Sequence, residues 1–314
     1  MVMFFYSIMC LIFGTTFLAI KIGLEAGLAP YFSAGIRFFI AGLLLIGFCY
    51  ARGMKLPSTR SMYFNLLIIG FCLTTCTFAT LYWAEQFIPS SLAALLSALS
   101  PMVVTVMLSY KTRTNLTIYQ IVGLLLGFSG VLMITLPSIS FSLGMLWLFA
   151  CISVVVGQLF YSTGTVRSKE MLETDVSPFV LNGIQMMFGG IMLLILSLFT
   201  ESPDFSVFAN LNAWYSLVYL TVIGSLLGHS LYYWLIKKTN PVFPSTWLYV
   251  SPFIALIIDL TIRHEPILWY MILGGVAIII GVIITNFVVL KSMIKEKMDA
   301  MRPGDVTLKA DTHV

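Results

Sequence analysis

Long apolar runs dominate the chain, each about the length of a membrane crossing, and the charged residues gather in the short connectors between them. A spanning helix needs roughly 20 mostly apolar residues. Windows of that size predict ten helices, at about 2–22, 31–50, 62–84, 89–109, 117–136, 142–166, 177–199, 212–236, 241–263 and 267–290. The least marked boundary falls near 137–142, where only Pro137-Ser138-Ile139-Ser140 separates two runs. Beyond Leu290 the chain becomes charged and Pro/Gly-containing, which predicts a solvated tail over 291–314. The start lacks a basic stretch and a cleavage-type pattern, so the first segment is expected to be retained as a spanning helix rather than removed.

The run pattern repeats. Tyr82 to Pro101 reads YWAEQFIPSSLAALLSALSP, and adding 151 to each number gives Tyr233 to Pro252, YWLIKKTNPVFPSTWLYVSP. The register continues without a gap: Tyr119, Gly123, Gly130 and Val131 match Tyr270, Gly274, Gly281 and Val282. At an offset of 148, Pro30, Gly35 and Gly42 match Pro178, Gly183 and Gly190, and at 143, Gly14 and Phe17 match Gly157 and Phe160. Unequal connectors produce such changes of offset. The expected organisation is therefore a first repeat over 1–138, a second over 139–290, and the tail. Five helices per half is an odd number, so the second half enters the membrane upside down. Inverted repeats of this kind are a common transporter plan, with the substrate site near the midplane between the halves.

Composition agrees with a chain solvated by lipid. It is 59% hydrophobic and 10% charged, where soluble domains carry about 25% charged residues. The net charge of +4 is small, and no basic face suited to nucleic acid is present. With the N-terminus cytoplasmic, the inner connectors and tail hold 14 of the 17 basic residues, leaving Lys21, Arg37 and Arg263 outside. The excess of positive charge in cytoplasmic loops predicts both termini inside. All five cysteines lie in apolar runs, as small core residues do. Cys72 and Cys76 share a helix face, but no further ligand is placed to complete a metal site, and neither a metal nor a cofactor is expected.

The sequence resembles the drug/metabolite transporter superfamily and, within it, the EamA-type exporters. The likeness rests on Gly14-Thr15-Thr16-Phe17 with Lys21, on Gly35-Ile36-Arg37-Phe38, and on Ser100-Pro101 and Ser251-Pro252 in the fourth and ninth helices. The glycine-rich last helix of each half adds to it, and it covers about residues 4–290. The resemblance implies a secondary exporter of small metabolites in the inner membrane.

Several residues carry candidate chemistry. Arg37 lies about seven residues into its helix, roughly 10 Å deep at 1.5 Å per residue. A charge at that depth faces a cavity or a partner. It is either a fixed charge of an outward vestibule, paired with Glu85 or Asp259, or a structural ion pair or snorkelling cation. His229 is the only histidine in a predicted span. It is either a proton carrier or a neutral ring hydrogen-bonded between helices. Tyr82-Trp83 and Tyr233-Trp234 form either an aromatic belt or pathway gates. Thr15, Thr16, Thr80, Gln158, Tyr161, Asn182, Gln185 and Trp247 are polar groups set deeper in the helices. Each is a cavity candidate or an interhelical hydrogen bond worth about 0.6 kcal/mol. Gln185 occupies the repeat position of Arg37. Pro101 and Pro252 each delete a helix hydrogen bond and are expected to kink and hinge symmetry-related helices. The Gly123/Gly127 and Gly224/Gly228 faces predict close packing within the bundle, with a homodimer through the fifth and tenth helices as the other use.

No phosphate-binding loop and no metalloprotease or nucleophile-elbow motif is present. ATP-driven pumping and intramembrane hydrolysis thus lack their usual signs, and the chain is not expected to be an enzyme. The function expected is secondary active export of amino acids or related metabolites by alternating access. The competing class is a multipass sensor that binds a small ligand without moving it. The expected partners are a small-molecule substrate and the bilayer.

Overall fold

The computed structural model describes residues 1–136, 144–251 and 269–291, with the single positions 254 and 294. The described residues are helical throughout and contain no strand. Seven helices are long and apolar enough to cross a membrane. They are α1 (Val2–Glu25), α2 (Pro30–Ala51), α3 (Arg60–Ala84), the segment Leu92–Thr112, α7 (Met145–Glu173), α8 (Pro178–Thr200) and α9 (Leu211–Lys238). The segment Leu92–Thr112 is built from two pieces, α4 (Ser90–Ser97) and α5 (Ser100–Thr112). Further described helices include α6 (Ile118–Thr135), the short α10 (Val242–Ser245) and α11 (Trp269–Thr285). The second part of the predicted ninth span, including Pro252, Asp259 and Arg263, lies outside the described residues.

Polar residues at membrane depth sit inside the bundle, and many large apolar side chains face outward. Along α7, Gln158, Ser162, Thr165 and Ser168 are buried, whereas Leu146, Phe149, Ile152 and Leu159 are exposed. A water-soluble bundle has the opposite arrangement. Burial of the polar stripe satisfies its hydroxyls: Ser162 donates to the Gln158 carbonyl at 2.7 Å and Ser168 to that of Gly164 at 2.7 Å.

Local signals set the helix ends. Thr59 and Thr117 cap α3 and α6, the latter in a capping box with Gln120. Pro30 and Pro178 open α2 and α8, where a missing N–H costs nothing. Gly27, at φ +98°, turns the chain out of α1. Glu201, just past α8, accepts from the first-turn amides of Tyr31 and Phe32 at 2.7 and 2.9 Å, which ties the end of α8 to the start of α2.

Two helix pairs approach through glycines that meet glycines on the partner helix. In α2 against α8, a Cβ on Gly42 would lie 2.7 Å from the Gly183 carbonyl oxygen, and one on Gly190 would lie 2.9 Å from that of Gly35. In α6 against α11, a Cβ on Gly130 would lie 2.6 Å from the Gly274 oxygen and one on Gly281 would lie 2.7 Å from that of Gly123. Both pairs run antiparallel, because contact numbers rise on one helix as they fall on the other. The glycine faces of α6 and α11 are thus used against each other within the chain, and a homodimer through these helices would need a different face. The Gly224/Gly228 face of α9 likewise packs inside, against Thr16 and Phe13.

Three features depart from the sequence reading. The fourth span is broken at Ala98-Leu99 rather than kinked at Pro101, which falls in the first turn of α5, where a proline is tolerated. Arg167 and Lys169 lie within α7, which runs on to Glu173, and not in a connector. Finally, α3 and α9 each contain a π-helical segment, Phe71–Cys76 and Leu220–Gly228, which no residue periodicity announced.

Candidate functional site

A cavity of about 50 Å³ lies at the centre of the bundle. It has room for a few water molecules and is well below the roughly 300 Å³ at which pockets for drug-sized ligands begin. Its wall takes Phe13, Thr16 and Phe17 from α1, Arg37 from α2, Leu73, Thr77 and Phe78 from α3, and Ser97 from α4. The other side comes from Gln158 and Tyr161 of α7, His229, Tyr232 and Tyr233 of α9, and Trp247 and Leu248.

Each π segment ends at this cavity. Widening a helix to π geometry displaces one carbonyl from its usual partner, and π segments are frequent at functional sites. Thr77, the first residue after Phe71–Cys76, donates its hydroxyl to the Cys72 carbonyl at 2.8 Å. His229, the first residue after Leu220–Gly228, places Nδ1 3.0 Å from the Gly224 carbonyl. Both bonds reach five residues back. A carbonyl only accepts, so Nδ1 carries the proton and Nε2 is the ring's remaining site. The His229 ring lies among Phe13, Phe38 and Phe78, with centroids 5.0, 5.7 and 6.1 Å away. Its hydrogen bond therefore stays within its own helix, while its packing crosses to three others.

Arg37 is 1% exposed. Its guanidinium carbon lies 4.2 Å from the Phe38 ring centroid and 4.9 Å from that of Phe78, and Nη1 donates to the Tyr82 hydroxyl at 2.9 Å. Nε is buried without an acceptor. The expected pairing of Arg37 with Glu85 is absent. Glu85 is itself buried, accepts from Ser90 at 3.4 Å through Oε2, and leaves Oε1 without a partner. Lys21 donates to the Glu85 backbone carbonyl at 2.9 Å, a cation at the C-terminal end of α3. Asp259, the other expected partner, lies outside the described residues.

A second polar group sits on the far wall. Tyr161 donates to the Tyr232 hydroxyl at 2.9 Å, Thr165 bonds the same hydroxyl at 2.8 Å, and the Trp247 indole donates to Tyr161 at 3.2 Å. Gln158 accepts from Ser100 at 2.6 Å and donates to Ser97 at 3.1 Å, bridging the break between α4 and α5. Irregular backbone at membrane depth needs such partners.

Of the sequence candidates, the cavity thus gathers Thr16, Arg37, Gln158, Tyr161, His229, Tyr233 and Trp247. Tyr82 stands behind Arg37 and, like Tyr233, is 1% exposed, so neither tyrosine belongs to a lipid-facing belt. The remaining candidates lie elsewhere. Thr15 bonds Tyr219, and Thr80 bonds the Cys76 and Thr77 carbonyls of its own helix. Asn182 and Gln185 form a network between helices: Thr74 donates to Gln185, Gln185 to Asn182, and Asn182 to Ser230. Phe13, Phe17, Leu73, Phe78 and Leu248 were not singled out because an apolar residue in an apolar helix carries no signal of its own. Tyr232, adjacent to Tyr233, and Thr77 were legible as polar groups at depth.

The comparisons with known proteins agree with this architecture. The chain is similar to the uncharacterized inner membrane transporter YedA of Escherichia coli (strain K12), 28% identical over 261 residues, covering 82% of this chain and 81% of YedA. It is also similar to protein PagO of Salmonella typhimurium, 26% identical over 286 residues, covering 89% of this chain and 91% of PagO. A solved structure titled "Crystal structure of protein" superposes with a TM-score of 0.73 at 16% identity, covering 93% of this chain and 98% of that one, and so shares the fold. The model of the EamA-like transporter family matches residues 1–136 and 148–287. With both stretches matched, the chain belongs to the EamA-like transporter family.

Proposed function

We propose that the protein is a secondary active transporter built from two inverted five-helix repeats, 1–138 and 139–290, with 291–314 a cytoplasmic tail and both termini inside. It exports small metabolites, such as amino acids or related compounds, across the inner membrane by alternating access. The observation that carries this is the reciprocity of the glycine contacts. Gly35 and Gly42 correspond to Gly183 and Gly190 by the 148 offset, and the approaches are Gly42 to Gly183 and Gly190 to Gly35. At the 151 offset, Gly123 and Gly130 correspond to Gly274 and Gly281, and the approaches are Gly130 to Gly274 and Gly281 to Gly123. Residue i meeting j′ while j meets i′ is the signature of a two-fold axis, and antiparallel partners place that axis in the membrane plane. The π segments add support, since Phe71–Cys76 and Leu220–Gly228 both interrupt the third helix of a half.

The cavity takes side chains from both halves, as the site of a rocking mechanism would. The substrate pathway then runs past Thr16, Arg37, Gln158, Tyr161, His229, Tyr233 and Trp247, with the break at Ala98-Leu99 beside it. The test begins with overexpression in cells exposed to a panel of toxic amino-acid analogues. Purified protein in liposomes is then loaded with the compound whose toxicity is relieved. Accelerated flux down the gradient is expected, and saturable binding without flux would favour a sensor instead.

A further inference from the structure

We infer that Arg37 is the anion-recognition group of the central cavity and that the substrate is a small monocarboxylate with an apolar or aromatic body; this rests on the transporter reading of that cavity. A guanidinium keeps its charge at all accessible pH. At 1% exposure Arg37 holds that charge away from water. Buried cations are ordinarily paired, yet among the described residues no carboxylate pairs with this one. The Phe38 and Phe78 ring faces and the Tyr82 hydroxyl support the charge without cancelling it. Nε remains buried without an acceptor on a side chain that lines the cavity. Glu85 does not supply a partner: its Oε2 accepts from Ser90 and its Oε1 has none. The charge is held in reserve for a ligand.

The rest of the wall narrows the class. Arg37 is the one fixed cation among the described lining residues. Its repeat counterpart, Gln185, is neutral and bonded to Thr74 and Asn182. One guanidinium balances one negative charge, and its planar fork matches the two oxygens of a carboxylate. No acidic side chain lies among the described lining residues to hold an ammonium group. A net anion therefore suits the wall better than a zwitterion. Phe13, Phe17, Phe78 and Trp247 supply apolar faces for the remainder of the molecule.

The test is binding of radiolabelled benzoate to the purified full-length protein in detergent, with unlabelled competitors. Saturable binding is expected, displaced by phenylacetate and at least about tenfold less well by benzamide, benzylamine or phenylalanine, since a charge-assisted contact carries roughly tenfold to hundredfold in affinity. Arg37→Gln should weaken benzoate by that factor and Arg37→Lys by less. Charge selectivity measured on the wild-type protein stands whether or not the variants fold. The inference is overturned by equal competition from benzamide, by stronger competition from phenyl phosphate, by unchanged binding in a folded Arg37→Gln, or by no saturable binding of any carboxylate. The same label in proteoliposomes separates the two proposals. Charge-selective binding without flux removes the transporter and leaves the anion site, whereas flux with charge-blind binding does the reverse.

Discussion

Gly42 and Gly47 lie five residues apart on α2 and should respond oppositely to a single methyl group. A Cβ on Gly42 would stand 2.5 Å from the Met187 amide nitrogen, and one on Gly47 would meet nothing within 4 Å. Ordinary contact begins at 3.4 Å, so Gly42→Ala forces α2 and α8 apart by about 0.9 Å. The obstacle is backbone, which cannot rotate away. Overpacking of this kind costs about 1–3 kcal/mol, and the gain in helix propensity returns at most about 1 kcal/mol. A net loss of up to about 2 kcal/mol follows for Gly42→Ala, against a gain of about 0.5–1 kcal/mol for Gly47→Ala. Gly190 has the reciprocal environment, 2.5 Å from the Phe39 amide. Gly190→Ala should therefore cost as much as Gly42→Ala. Unfolding in detergent micelles, followed by circular dichroism, reads all three. Equal behaviour of Gly42→Ala and Gly47→Ala would refute the packing argument. A large difference between Gly42→Ala and Gly190→Ala would refute the symmetry.

Thr77→Val removes the hydroxyl that serves the Cys72 carbonyl and should lower stability by about 0.5–1.5 kcal/mol, while reducing flux more than a lipid-facing control such as Leu125→Ala. His229→Gln is expected to abolish uptake driven by a pH gradient; undiminished uptake removes His229 from proton coupling and leaves it as the group that serves the π segment. Glu85 lies just past the Arg60–Ala84 span, and burial pushes its carboxyl up to about 8 despite the opposing pull of Lys21 and Ser90. A raised carboxyl makes its contribution to stability greatest below the ordinary 4.5 and loses it as pH rises through about 8. The thermal midpoint should fall across that window, and a slope unchanged in Glu85→Gln would show that another group titrates. A reporter fused after Val314 should read cytoplasmic, and a periplasmic signal would reverse the topology.

What could be read from the sequence was whatever leaves a periodic or paired trace. Apolar runs located the spans, and the recurrence of Gly35/Gly42 as Gly183/Gly190 marked surfaces that proved to face one another. The π segments were hidden because Phe71–Cys76 and Leu220–Gly228 use the same residue types as the α-helix around them. What sets them apart is the carbonyl bonded by Thr77 or His229, a relation between two positions and not a property of either. Polarity at depth was a partial guide to the site. It found Arg37, Gln158 and His229, but gave equal weight to Asn182 and Gln185, which hydrogen-bond between helices instead. Sequence depth cannot tell which side of a helix meets the cavity, because that depends on rotation about the axis, and rotation is set by packing such as the glycine contacts.

The division of labour between Arg37 and Gln185 bears on mechanism. A strictly symmetric transporter would carry matching groups at the two positions, whereas here Arg37 lines the cavity and Gln185 lies in a network between helices. Here the frame is symmetric and its chemistry is not. The glycine crossings join matching positions of the two halves, and a π segment interrupts the third helix of each. Gln185 engages its amide with Thr74 and Asn182 and so ties α8 to α3, whereas Arg37 has a buried Nε without an acceptor on a side chain that lines the cavity. In the proposed rocking mechanism, a ligand anchored to Arg37 would stay with the half that carries α2 while the other half swings past it. The aromatic residues of α1 and Trp247 are then the groups that must part when the cavity opens.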